Sequence, residues 1–187
     1  MKILVLNSGS SSLKYQLFDM PNQSPMCSGL VDRIGLENAT LTHKLYIHGS
    51  EEVFKFQKDI KDHEAGLLAV TALLIDPEKG VLSDMSEVKA IGHRVVHGGE
   101  QFAATTLITD EVKKKIKELF ALAPLHNPPN LLGITVAERV FPFAKQVAVF
   151  DTAFHQSMPP RAYRSAIPKE MYTQLGIRSY GFHGSSH

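Results

Sequence analysis

The sequence predicts an α/β protein with a mixed sheet flanked by helices, and three observations carry that expectation. Residues 2–56 break into short apolar or alternating runs with no helical period. From residue 62 onward, apolar residues recur at helical spacing between short β-branched runs. Turn chemistry separates the pieces at Asp19-Met20-Pro21-Asn22, His48-Gly49-Ser50, Asp76-Pro77 and Pro142.

The first strand is Ile3 to Leu6, a β-branched apolar run too short to span a membrane; it ends on Asn7. A Ser/Gly turn comes next, and Leu13 to Phe18 alternates as a second strand. Cys27 to Ile34 reads as a third strand, and Ala39 to Ile47 with Glu52 to Phe56 as a partly exposed hairpin. Asp62 is placed to cap a helix whose apolar face is Leu67, Val70 and Leu74. Val88 to Gly92 is a short buried strand. Thr109 or Asp110 caps a second helix with the stripe Val112, Ile116, Leu119 and Phe120. The lysines at 113, 114, 115 and 117 fall mostly off that stripe and read as a solvated face. Pro128-Pro129 begins a third helix, with Asn127 as its cap, running to about Val140. Gln146 to Phe150 is another buried strand ending on Asp151. Lys169 to Leu175 is a short helix stopped by Gly176, and Ile177 to Phe182 a last extended piece.

Composition narrows the function classes. Net charge is +1, from 20 basic and 19 acidic residues, and gives no reason to expect a nucleic-acid or membrane partner. The single cysteine, Cys27, excludes an internal disulfide and suits a reducing, cytoplasmic setting as a small packed side chain. No basic-then-apolar leader opens the chain.

The residues just past the strands carry the functional signal. In open α/β sheets, ligands gather outside the carboxyl ends of the strands. Here those positions hold Asn7, the His93–Arg94 pair, Asp151 and His183, so an amide, a guanidinium, a carboxylate and an imidazole are expected to share one crevice. The turn Ser8-Gly9-Ser10-Ser11-Ser12 crowds backbone N–H groups and hydroxyls where an anionic oxygen or a phosphate–metal pair would sit, with Lys14 just beyond as a point charge. It lacks the spacing of the common phosphate loop, and a strand rather than a helix comes after it. His93 and His97 stand four apart, but their three neighbouring glycines argue against a helix, so they do not read as a zinc pair. Arg94 suits a carboxylate or phosphate better, through its two-pronged fork. His126, in the stiff loop Leu125-His126-Asn127-Pro128-Pro129, is a proton switch near neutral pH.

Five segments together resemble one known family. Leu6-Asn7-Ser8-Gly9-Ser10-Ser11-Ser12-Leu13-Lys14 is similar to the opening signature of the acetokinase family. Ala90 to Gly99, Ala123 to Pro128, Val149 to His155 and Tyr180 to Gly184 resemble that family's later motifs, in the same order. The resemblance implies a ribonuclease-H-like lobe of the acetate and sugar kinase/heat-shock chaperone/actin superfamily. It implies a first lobe over 1–151 and the start of a second over 152–187. Family chains run to roughly twice this length, so an N-terminal portion is expected.

The same resemblance implies transfer of a phosphoryl group from ATP to acetate, giving acetyl phosphate and ADP, with Mg2+. It places Asn7 at the metal and Lys14, Ser10 and Ser12 at the nucleotide phosphates. Arg94 would bind the acyl substrate, Val96, Leu125 and Phe182 would line its methyl slot, and His126 and His183 would face the phosphoryl group. Asp151 is the family's catalytic carboxylate. A second arginine, a metal-side glutamate and the adenosine pocket would lie outside these residues, and the full-length enzyme is expected as a homodimer. Propionate kinases share the motifs. A nucleotide-driven ATPase and a non-catalytic anion-binding domain are the other readings of the fold.

Because acetate is already ionised at neutral pH, it needs no general base. Asp151 is therefore expected to orient Arg94 or a metal-bound water rather than to take a proton.

Overall fold

Apolar alternation decides which face of each strand is covered. In the computed structural model, which describes residues 1–47 and 49–187, β1 (Lys2–Ser8) turns Leu4 and Leu6 inward. Its antiparallel neighbour β2 (Ser12–Asp19) answers with Leu17 opposite Leu4 and Tyr15 opposite Leu6. β3 (Ser24–Asp32), β4 (Thr40–Ile47) and β5 (Ser50–Gln57) continue the antiparallel meander. Cys27 packs, fully buried, between Leu17 and Leu45, and burial pushes its thiol up to about 12. His48, part of the expected turn between β4 and β5, lies outside the described residues.

The period then changes. Asp62 caps α1 (His63–Leu74) by accepting from the Ala65 N–H at 2.7 Å. β6 (Val88–Val95) pairs parallel to β1. The two-residue β7 (Thr106–Leu107) precedes α2 (Asp110–Glu118), which Thr109 caps. α3 (Asn127–Val140) leads into β8 (Lys145–Phe150), parallel to β6. The described sheet has eight strands in the order β5-β4-β3-β2-β1-β6-β8-β7. α4 (Pro160–Tyr163) and α5 (Lys169–Leu175) come last.

α3 lies over the middle of one sheet face, touching α1, α2, β1 and β6. On one side of it, Leu4, Leu17, Leu67, Val70 and Ile91 form the larger core. On the other, Ile116, Ile134, Ala148 and Phe150 form a smaller one. Each fully buried leucine or isoleucine contributes roughly 1.5–3 kcal/mol.

Several elements differ from expectation. β1 and β6 continue to Ser8 and Val95, past the expected stops at Asn7 and Gly92, so Asn7, His93 and Arg94 lie within strands rather than beyond them. Pairing with neighbouring strands overrides the polar and glycine residues that locally suggest a stop. The expected last extended piece, residues 177–182, is not a strand: the chain bends at Arg178, Gly181 takes φ 74°, and the segment joins no strand ladder, being held by the Ser179 N–H on the Tyr163 carbonyl. It is pinned as well by Arg178, which pairs with Glu100 and stacks over the Tyr163 ring. Asn127 caps nothing. The α3 N-cap position is His126, without a side-chain cap bond, and the Asn127 amide is turned inward.

Candidate active site

Where β1 turns into β2, the chain's carbonyl groups are consumed by the protein. The Ser8 carbonyl accepts from Asn130 Nδ2 at 2.8 Å, and Gly9 from His63 Nε2 at 2.7 Å. Ser11 accepts from the Ile34 N–H at 2.9 Å and Ser12 from the Gly9 N–H at 2.8 Å. The N–H groups of Ser10 and Ser11 make no backbone bond among the described residues. A turn whose carbonyls are satisfied from behind presents net positive dipole to an anion. Ser10 is exposed and Ser12 half-buried. Lys14, exposed on β2, is the register partner of Asn7.

A second wall is made of side chains. Arg94 on β6 and Asp151, one residue past β8, meet because β6 and β8 are adjacent parallel strands. Arg94 Nε lies 3.0 and 3.1 Å from the two Asp151 carboxylate oxygens, and Nη2 lies 2.6 Å from Oδ2. Asp151 is 1% exposed and Arg94 34%. The hydrogen bonds to Asp151 raise the Arg94 pKa against the opposing effect of burial, so the guanidinium is firmly charged. One edge of the fork is thus taken. Nη1 makes no hydrogen bond among the described residues, and Arg94 lines the cleft.

Nη2 also reaches His183 Nδ1, at 3.4 Å. An arginine N–H can only donate, so neutral His183 carries its proton on Nε2. His183 adopts φ 55°, a conformation that costs a non-glycine residue on the order of 1 kcal/mol and that turns it toward Arg94. The segment is held there by His155 Nε2–H on the Phe182 carbonyl at 2.9 Å, and by the Gly184 N–H on the Asp151 carbonyl at 2.9 Å. Gly181 has φ 74°, and a Cβ there would meet the His155 ring at 2.4 Å, so only glycine fits.

Arg94, Val96, Leu125, His126, Asp151, Phe182 and His183 line one cleft of about 580 Å³, with Leu122, Ala123 and Pro124. Arg94, Asp151 and His183 meet here as the strand ends led us to expect, and Val96, Leu125, His126 and Phe182 lie where the family resemblance put them; His93, expected in the same crevice, is instead buried away from it. Asn7, Ser10, Ser12 and Lys14 do not line it; they form the separate turn wall. Asp151 does not cap the 3-10 helix Ala153–Ser157, whose N-cap position is Thr152. His93 is buried against Gln146 Oε1 at 2.7 Å, and His97 Nδ1 accepts from the Gly99 N–H at 3.0 Å.

Among the described residues no group of three or more His, Cys, Asp or Glu side chains is placed to hold a metal. The Asn7 amide oxygen is a hard neutral donor, and it fits a magnesium ion that brings phosphate oxygens and waters as its other ligands. Sequence reasoning missed His63, Asn130 and the inward role of Asn127. The i, i+3 spacing of Asn127 and Asn130 at a helix start was the available signal.

A sequence model described as the acetokinase family matches residues 2–187. An acetate kinase of Halothermothrix orenii is 58% identical over the whole of this chain, which covers 46% of that protein. The crystal structure of Porphyromonas gingivalis acetate kinase superposes with a TM-score of 0.91 at 44% identity, over all of this chain and 46% of that one. A propionate kinase structure from Francisella tularensis gives 0.88 at 38%, with the same coverage. The chain spans about half the length of the curated relatives it matches.

Proposed function

The chain belongs to the acetokinase family, and from that premise we propose that it supplies the acyl wall and the phosphate turn of an ATP:acetate phosphotransferase, with residues 1–151 as one lobe and 152–187 beginning a second. The observation that carries the reading is the cleft itself. A charged arginine edge stands beside the apolar side chains of Val96, Leu125 and Phe182, which suits a small carboxylate with a short alkyl tail.

In the proposed reaction a carboxylate oxygen of acetate attacks the γ-phosphorus of ATP. The new O–P bond forms as the bond to ADP breaks, giving acetyl phosphate. Such a transfer leaves little covalent chemistry for the protein, which aligns the reactants and surrounds the equatorial oxygens with donors. The open edge of Arg94 binds the carboxylate and then the phosphoryl oxygens. His183 Nε2–H and His126 donate to the same oxygens. The Ser10 and Ser11 N–H groups, the Ser10 and Ser12 hydroxyls and Lys14 hold the nucleotide phosphates. Magnesium, when bound, neutralises phosphate charge, and Asn7 would hold it. Asp151 keeps Arg94 charged and aimed. A cytoplasmic setting and a homodimer belong to the same reading, the first resting on the buried, lone Cys27 and the second on the family resemblance.

Propionate is the second acyl substrate to consider. The slot is open, with Leu125 76% exposed, and a propionate kinase is among the structural relatives. The test is to incubate the full-length protein carrying these residues with ATP, magnesium and either acid, and to trap the acyl phosphate with hydroxylamine. Acetyl hydroxamate that disappears in Arg94→Ala supports the reading. ATP hydrolysis with no acyl phosphate from either acid would point instead to a nucleotide-driven ATPase.

A further inference from the structure

Beyond Val95 the β6 strand loses its neighbour. Its ladder with β8 ends at the Val95–Phe150 pair, and its ladder with β1 ends earlier, at Leu6–His93. No strand pairs with the next two peptides, Val96, which lines the acyl cleft, and His97, which packs behind Phe182. Their partners come from α3. Asn130 Oδ1 accepts from the Val96 N–H at 3.0 Å, while its Nδ2 donates to the Ser8 carbonyl on β1. Asn127 binds both sides of one residue: its Oδ1 accepts from the His97 N–H and its Nδ2 donates to the His97 carbonyl, each at 3.0 Å. Asn127 is fully buried and Asn130 is 5% exposed.

We propose that Asn127 and Asn130 are positioning residues of the active site, two amides one helical turn apart that set the distance between the phosphate turn and the acyl wall. The proposal rests on the acetate-phosphorylating function and adds residues that touch neither substrate. Asn130 is the bridge across the gap, because one side chain holds Ser8, at the base of the turn, and Val96, in the methyl slot. Asn127 fixes His97, whose ring packs edge-on against Tyr180 at 4.4 Å and Phe182 at 5.7 Å, the latter another slot residue. It comes directly after His126, so the same helix start carries a cleft histidine and its brace. α3 sits close enough to do this because position 133 is glycine. A Cβ there would lie 2.1 Å from Ser8 Oγ.

The bridge acts on alignment, and misplacement of about 1 Å between donor and acceptor costs on the order of a hundredfold in rate. The experiment uses a full-length acetokinase carrying these residues, assayed with acetate and with propionate, with amide hydrogen exchange at Val96 and His97 followed in the same variants. Asn130→Ala should lower kcat for acetate by about a hundredfold while Arg94 still binds the acyl group, so that KM moves less than about threefold. The propionate-to-acetate ratio of kcat/KM should rise severalfold as Val96 relaxes. That ratio does not depend on how much protein is folded, so an unchanged ratio with a parallel fall in both rates means a merely structural role and overturns the proposal. Asn130→Asp keeps the acceptor for Val96 but loses the donor to Ser8, and should reproduce the kcat loss if the alanine variant does not fold. Wild-type rates in either folded variant would overturn the bridge. Exchange separates the two levels of the claim. Unchanged protection of Val96 and His97 in the alanine variants refutes the clamp even where acetate is phosphorylated. Protection lost at Val96 in Asn130→Ala and at His97 in Asn127→Ala, in a protein whose parent phosphorylates neither acid, upholds the clamp and refutes the acetate-phosphorylating function.

Discussion

The turn at Ser8–Ser12 and the cleft at Arg94, both proposed to take anions, are built by opposite means. The turn works with backbone: the carbonyls of Ser8, Gly9, Ser11 and Ser12 are bound by the protein, the N–H groups of Ser10 and Ser11 make no backbone bond among the described residues, and an exposed lysine, Lys14, lies two residues beyond. The cleft works with side chains contributed from positions 94, 126, 151 and 183, and its central charge is held in a two-pronged pair by a buried carboxylate. A backbone site depends on whatever holds the loop in shape. A side-chain site depends on the charged group and on the partner that aims it. The difference predicts where each will fail.

The largest effect should come from the cleft. Arg94→Ala in a full-length acetokinase is expected to lower kcat for acyl transfer by about a thousandfold or more, the range seen for transition-state arginines. Arg94→Lys should recover only a small part, since it restores charge without the fork. Steady-state kinetics with an unfolding curve measures both; near-normal turnover in a folded Arg94→Ala protein would show that the cleft does not bind the acyl group.

One step out, the partner should matter less than the arginine. Asp151→Ala is expected to cost about a hundredfold, through an Arg94 left without its guide. Asp151→Asn, which keeps an acceptor for one prong, should cost less. The kcat values of the two variants, set side by side, measure the aiming effect.

The turn should respond through its supports. His63→Leu removes the donor to the Gly9 carbonyl and is expected to raise KM for ATP several-fold while leaving KM for acetate unchanged. An equal change in both constants would erase the distinction between the walls.

A further effect, on stability rather than on rate, concerns pH. Burial holds His93 at about 4, below its ordinary 6.5, and burial lowers His43 and His97 as well. The unfolded chain takes up protons in that interval that the folded chain refuses. Stability is therefore full above about pH 6.5 and falls as pH drops toward 4, by on the order of 3 kcal/mol for His93. Urea unfolding between pH 4 and 8 should show that slope, and His93→Asn should flatten it.

The same contrast explains how much of the molecule the sequence discloses. Arg94, Asp151 and His183 were legible because each falls at or just past the end of an apolar run, and parallel strands bring such ends together, whereas Val96, Leu125 and Phe182 were named only through the family resemblance. The strand ends themselves were misjudged at Asn7 and Gly92, since sheet neighbours extend a strand past residues that locally favour stopping. Asn127 looked like a helix cap because asparagine before proline usually is one; only the tertiary structure shows its amide spent on His97. His63 carried no signal at all, because its target is a carbonyl 54 residues away.

The central claim is that Asp151 aims Arg94 and takes no proton from the substrate. The direct test is the pH dependence of kcat/KM for acetate in Asp151→Asn against the parent enzyme, at saturating ATP and magnesium. If Asp151 orients, the variant's profile keeps the parent's shape at a lower plateau, because no required ionisation has been removed. If instead the acidic limb of the parent profile vanishes in the variant, Asp151 is a base in the reaction and does not merely aim the arginine.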